Sequence, residues 1–147
     1  MIEFLQQWGF LLIPLATVGV TQLLKFFIYS GRRGGVDINA LLSYGGMPSG
    51  HTAFFTSLST IIGLVEGFHT AVFAIASMMT IIIIRDALGL RQALSAHGKV
   101  INILAKKAKV GSEVEKVKEV LGHTPTEAII GALVGISFAL ICYWVIY

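Results

Sequence analysis

Two imidazoles, a carboxylate and a set of cations carry the chemistry that this sequence can do. His123 and Glu127 are spaced i, i+4 across Gly122-His123-Thr124-Pro125-Thr126-Glu127. A carboxylate bonded to one ring nitrogen fixes the tautomer and leaves the other nitrogen as a nucleophile or base. His51 sits in the stretch Gly45–Ala53, read G-G-M-P-S-G-H-T-A, which opens onto the apolar run Ala53 to Val65. A turn that feeds a helix presents backbone N–H groups and the positive end of the helix dipole, an arrangement that favours an anion such as phosphate. Ser49 adds a hydroxyl donor and His51 a proton near neutral pH. Lys25 and Arg32 are seven residues apart and share a face if the helix persists that far, with Arg33 beyond them. This set suits in-line phosphoryl transfer. One imidazole attacks phosphorus, the other protonates the leaving oxygen, and Lys, Arg and backbone N–H groups hold the equatorial oxygens. Magnesium usually needs clustered carboxylates, which the sequence does not offer, so the chemistry is expected to need no metal and no cofactor.

The same residues have structural readings. Ser49 reads as an N-cap and Pro48–Gly50 as a turn. Lys25, near the end of an apolar helix, can snorkel to the headgroups. Thr124 as N-cap, Pro125 at the first helical position and Glu127 at the third make a capping box. Glu127 can cap and orient at once, and the box leaves His123 unexplained.

These residues are positioned by a chain that reads as membrane protein. Of its 147 residues 55% are hydrophobic and 13% charged, against about a quarter charged in soluble domains, and the mean hydropathy is +0.80. The length fits a single membrane-embedded domain, 1–147. Cys142, the lone cysteine, lies in an apolar segment and offers neither a disulfide nor a thiol metal site. Met1–Glu3 lacks the basic start of a secretory signal, so the first apolar stretch is expected to be retained. The fold expected is all-α: an integral membrane bundle of about four transmembrane helices plus amphipathic cytoplasmic helices. The spans are Phe4–Tyr29, ended by Gly31, Gly34 and Gly35; Thr52–Val65, short enough that its start is sunk below the membrane surface; Ala71–Ile84; and Glu127–Tyr147. Arg85–Ala108 is amphipathic, Ser112–Leu121 is a short surface helix capped by Ser112 and Glu115, and Glu66–Thr70 is a polar reversal. Gly131-x-x-x-Gly135 allows close backbone approach, either inside the chain or in a homodimer.

Four spans put loops Ser30–Ser49 and Arg85–Thr126 on one side, and both termini with the Glu66–Thr70 reversal on the other. All eleven Lys and Arg residues lie on the first side or at its boundary. Setting aside Lys25, Arg32, Arg33 and Arg91 as candidate site residues still leaves seven against none. The positive-inside rule makes that side cytoplasmic and the termini external. His69 reads as solvated, His97 as a packing or headgroup residue, and Lys106, Lys107 and Lys109 as a basic collar near anionic lipid. Phe26, Phe27, Trp144 and Tyr147 suit helix-end anchoring.

Lys25-x6-Arg32, Pro48-Ser49-Gly50-His51 and His123-x3-Glu127 resemble the three signatures of the type 2 phosphatidic acid phosphatase and vanadium haloperoxidase superfamily. G-G-M-P-S-G-H-T-A, R-D-A-L-G-L-R and L-G-H-T-P-T-E are similar, more closely, to its small divergent bacterial branch. The resemblance covers Lys25 to about Gly135. It implies that His123 is the nucleophile forming a phosphohistidine, that Glu127 orients it, and that His51 is the general acid. It implies phosphate binding by Lys25, Arg32, Ser49 and the Gly50 N–H. The chain differs from the superfamily pattern in four ways. Arg33 stands where a proline is usual, Glu127 where an Asp is usual, and Val117 and Lys118 where a Ser-Arg pair is expected; about four spans replace six. Arg91, steered by Asp86, is the candidate for the missing arginine, with Arg85 as the alternative. The implied function is a bacterial-membrane lipid phosphatase acting at the cytoplasmic face on a prenyl or phosphatidate-type phosphate or diphosphate, with membrane lipids but no nucleic acid as partners. A non-hydrolytic binding or transport protein using the same anion pocket is the second reading, and vanadate-dependent halide oxidation the third.

Overall fold

The structure, a computed structural model, describes residues 1–33, 46–108, 117 and 124–147, leaving aside the side chains of Arg32 and Arg33. The loop through Asp37 and Asn39, the surface helix expected over Ser112–Leu121 with its Ser112/Glu115 cap, Lys109, Lys118 and His123 lie outside the described residues. Among the described residues the regular structure is helical: α1 (Ile2–Arg33), α2 (Gly50–Val65), α3 (Ala71–Leu88), α4 (Leu90–Lys107) and α5 (Pro125–Ile146).

Three of the described segments are long and apolar enough to cross a membrane: Ile2–Gly31, Ala71–Lys107 and Pro125–Ile146. The fourth expected span, α2, is apolar but has only 16 residues, roughly 24 Å of helix against a hydrocarbon core of about 30 Å. Two expected boundaries move. Helix α1 runs through Gly31 to Arg33, because one glycine costs a helix only about 1 kcal/mol. The expected amphipathic helix from Arg85 is divided at Gly89 (φ −106°, ψ −79°), and Arg85 to Leu88 complete α3 instead.

Helix α2 is the hub, packing on α1, α3 and α5. Lipid tails are as apolar as leucine, so helices in a bilayer associate through small residues and polar bonds. Both are present along α2. Thr17 Oγ1 of α1 donates to Ser57 Oγ at 2.9 Å. Thr80 Oγ1 of α3 lies 2.7 Å from Ser59 Oγ and donates to the Phe55 carbonyl at 3.0 Å. Thr56 Oγ1 reaches the Ala132 carbonyl of α5 at 3.4 Å. Ile13, Ile61 and Ala139 form the apolar centre, with Phe10, Val65 and Phe138 against it. Large apolar residues instead face outward, among them Leu15, Leu23 and Phe27 on α1, Ile75, Met78 and Ile82 on α3, and Leu133 and Trp144 on α5. That inversion is what a lipid surround requires.

The ends of the bundle are set by named bonds. Gln6 Nε2 donates to the Ile146 carbonyl at 2.7 Å, and the Tyr147 hydroxyl to the Gln6 carbonyl at 2.8 Å, so α1 and α5 are antiparallel. The Ser49 N–H donates to the Glu127 carbonyl at 3.0 Å, so α2 and α5 start side by side. Thr70 caps α3 after the Glu66–Thr70 reversal, and α3 returns towards the end where α2 and α5 begin. Chain termini and reversal thus share one end of the bundle, and Lys25, Ser49, Gly50, His51 and Glu127 lie towards the other.

Candidate functional site

The site begins with a stripe on α1. Thr21, Lys25 and Tyr29 stand at i, i+4 and i+8, one above another on a single helix face. The turn entering α2 passes over that stripe. The Tyr29 hydroxyl occupies the place a Cβ on Gly46 would take, and Gly46 has φ +81°, a left-handed conformation that glycine adopts without strain. Four residues on, Thr21 Oγ1 lies 3.7 Å from the Cβ position of Gly50. The turn from Gly46 to Gly50, with its cis Met47–Pro48 bond, therefore contacts the stripe on either side of Lys25. Lys25 is 4% exposed. It is covered by the protein.

Ser49 is fully buried and does what an N-cap does: its Oγ accepts from Thr52 N at 3.4 Å and from Thr52 Oγ1 at 3.0 Å. Helix α5 closes the third side. Its Gly131 lies directly beneath the turn, where a Cβ would stand 2.5 Å from the Ser49 carbonyl oxygen, and Gly135 lies against the Ala53 carbonyl and Thr56 Oγ1. The glycine pair packs against α2 within the chain, the first of the two uses its spacing allows. The capping box is present in full, with Thr124 N donating to Glu127 Oε2 at 2.9 Å and Glu127 N to Thr124 Oγ1 at 3.3 Å. The same carboxylate acts electrostatically on Lys25.

Positive charge gathers at this end, partly balanced by the Glu127 carboxylate. The N-termini of α2 and α5 lie side by side, each worth roughly half a positive charge, and Lys25 adds a full one. Lys25 is eight residues short of Arg33, so it sits about 12 Å inside the end of α1. A lysine at the centre of a membrane helix costs about 2.5–3.5 kcal/mol; here the Glu127 charge offsets part of that.

The other expected residues fall as follows. The backbone of α1 stays helical through Arg32 and Arg33, so Lys25 and Arg32 do share one helix. Gly50 opens α2, and His51 follows in its first turn with an exposed side chain. Arg91 Nε donates to Asp86 Oδ2 at 2.9 Å, as the steering by Asp86 requires. That ion pair bridges the α3–α4 corner, and among the described elements α4 packs only on α3. The described contacts therefore do not bring Arg91 to Lys25 and Ser49. Arg85, in the last turn of α3, lines an apolar groove of about 440 Å³ with Ile81, Ile84, Leu88 and Gly89. His69 and His97 are exposed. Sequence reasoning missed Thr21, Tyr29 and Thr52, although the i, i+4 spacing of Thr21 and Tyr29 about Lys25 was readable.

Residues 7–138 match the family model described as the divergent PAP2 family. An uncharacterized membrane protein of Bacillus subtilis (strain 168), YuiD, is 34% identical over 147 residues, covering 89% of this chain and 91% of the relative. No solved structure matches.

Proposed function

Since the chain belongs to the divergent PAP2 family, we propose that it is an integral-membrane lipid phosphatase that hydrolyses a prenyl or phosphatidate-type phosphate or diphosphate through a phosphohistidine, without a metal. The observation that supports this best is that one described residue of each of three separate sequence motifs lies at one end of the bundle: buried Lys25 beside the Gly46–Gly50 turn, and that turn bonded through Ser49 N to the Glu127 carbonyl at 3.0 Å. In this reading His123 attacks phosphorus and the phosphorus–oxygen bond to the leaving group breaks. His51 gives that oxygen its proton, and water then releases phosphate from His123. Lys25, Ser49, the Gly50 N–H and Arg32 hold the phosphoryl oxygens. The tail lies along apolar walls. A groove of about 320 Å³ between α1 and α5, lined by Val20, Ile130, Leu133, Val134, Ser137, Phe138 and Ile141, starts one residue from both Thr21 and Gly131.

The test is phosphate release from lipid substrates by purified protein in detergent with EDTA, with and without vanadate. Release is expected to survive EDTA, to be blocked by vanadate, to favour tailed substrates over soluble esters, and to vanish in His123→Ala. Glu127→Gln keeps an acceptor for the capping box but removes the negative charge near buried Lys25 and at the start of α5, so its Tm should fall modestly. Its rate should fall about 10²–10⁴-fold, the range of general acid–base assistance. Undiminished release by His123→Ala would remove the nucleophile. One observation favours the alternative of lipid-phosphate binding or transport without hydrolysis: Arg91 is held by Asp86 at the α3–α4 corner. Lipid binding without any release of phosphate would select it.

The site is proposed to face the cytoplasm, on the strength of the Lys and Arg bias. With Cys142→Ala as background, a cysteine at Lys106 should be shielded from impermeant thiol reagents in intact cells and one at His69 should react. The reverse pattern would invert the orientation.

A further inference from the structure

Helix α4 leaves its apolar face open, and what it turns towards the rest of the chain is small or polar. Leu90, Leu94, Ile101 and Leu104 fall on one face at helical spacing, and all four are exposed, Leu90 by 68% and Leu104 by 59%. His97 stands at the middle of that face, also exposed. Towards the opposite side, Gly98 is buried and Arg91, Ser95 and Asn102 are half-buried. Asn102 is tied down by the chain itself: its Nδ2 donates to the Val117 carbonyl at 2.9 Å, and its Oδ1 accepts from Val117 N at 3.1 Å. A helix packed on a water-soluble body would show the reverse.

Two further observations say what covers the open face. The first is continuity. The outward residues of α3, including Ile75, Met78, Ile81 and Ile82, form a lipid-facing surface. The apolar groove of Ile81, Ile84, Arg85, Leu88 and Gly89 carries that surface to the corner where α4 begins. The second is charge. Helix α4 contains Arg91, Lys99, Lys106 and Lys107 and no acidic residue. A large apolar moment with a cationic polar side is the pattern of a helix lying in the plane of an anionic membrane surface. We propose that α4 lies in the headgroup–acyl boundary of an anionic leaflet, with Leu90, Leu94, Ile101 and Leu104 inserted and its lysines at the headgroups. The seat belongs to the same end of the bundle as the Lys25 site and stands whether or not the chain hydrolyses lipid.

The experiment uses the full chain in nanodiscs of phosphatidylcholine, alone or mixed with phosphatidylglycerol. Single cysteines at Leu94, Ile101 and Lys99, in a Cys142→Ala background, carry an environment-sensitive fluorophore. The labels at 94 and 101 should be quenched by lipids spin-labelled near the headgroup and shielded from iodide, with the label at 99 showing the opposite. Phosphatidylglycerol should strengthen the lipid quenching several-fold, and replacing Lys99, Lys106 and Lys107 together with Gln should remove that gain for the labels at 94 and 101. Iodide reaching all three labels alike would overturn the proposal, as would lipid quenching indifferent to phosphatidylglycerol. Shielding without lipid quenching, together with label-to-label contact between chains, would overturn it in favour of a second copy.

Discussion

Replacing Lys25 with methionine should leave the bundle at least as heat-stable as the parent while lowering phosphate release about 10²–10³-fold, the loss typical when one preorganised charge-stabilising group is removed. Methionine keeps the unbranched length that fits between Thr21 and Tyr29. It also removes a cation that is 4% exposed inside a membrane bundle. Exchanging a buried ion for a well-packed apolar group is often neutral or stabilising, and breaking a buried pair is harmful chiefly when the partner is left stranded. Glu127 is not stranded, because Thr124 N holds it in the capping box at the positive end of α5. Lys25→Arg is not the conservative choice: the guanidinium is larger and planar, and the stripe has the turn over it from Gly46 to Gly50. It should lose Tm as well as rate. Thermal unfolding and phosphate release, measured on the same preparation, separate the two roles. If Lys25 only pins the turn, the methionine variant will melt earlier and the protein still folded will turn over normally.

Much of this arrangement was legible because the elements that matter are short-range. The capping box over Thr124-Pro125-Glu127 is written in four residues and forms as read. Ser49 was readable as an N-cap, which it is, and as an anion donor; the cap alone does not settle the second role. The Lys25–Arg32 spacing demanded a helix that persists, and α1 does persist, although Gly31 suggested an earlier stop. The boundary at Gly89 was not legible because helical periodicity continues through R-D-A-L-G-L-R; the break shows in the backbone angles of one residue. Arg91, with Arg85 as the alternative, is a candidate for the site only through the arginine that the family pattern puts in the third motif. Placement depends on where α4 leaves α3, which no local pattern encodes. The choice between intramolecular and intermolecular use of Gly131-x-x-x-Gly135 was equally out of reach, because small-residue spacing specifies that a backbone comes close without naming it.

The identity of that backbone makes Gly131→Ala the most informative packing change. Its Cβ would stand 2.5 Å from the Ser49 carbonyl oxygen and 3.1 Å from Ser49 N and Cβ. Those are main-chain atoms and the root of a buried side chain, with no flexible tip to swing aside. Helix α5 must shift, and the Ser49 N–H bond to the Glu127 carbonyl lengthens or breaks. Overpacking costs about 1–3 kcal/mol and the lost hydrogen bond about 1 kcal/mol. A drop in Tm is expected, along with a fall in phosphate release per folded molecule, because the turn over Lys25 moves with the helix. Gly135→Ala meets the Ala53 carbonyl and Thr56 Oγ1 one turn further along. It should cost similar stability and less activity, since it presses on α2 beyond the turn. Gly19→Ala is the control: nothing lies within 4 Å of its Cβ position, and an exposed helical site gains up to about 1 kcal/mol from alanine. Unchanged melting in Gly131→Ala would mean that α5 does not rest on the Ser49 turn, and the site would lose the contact that joins its second motif to its third.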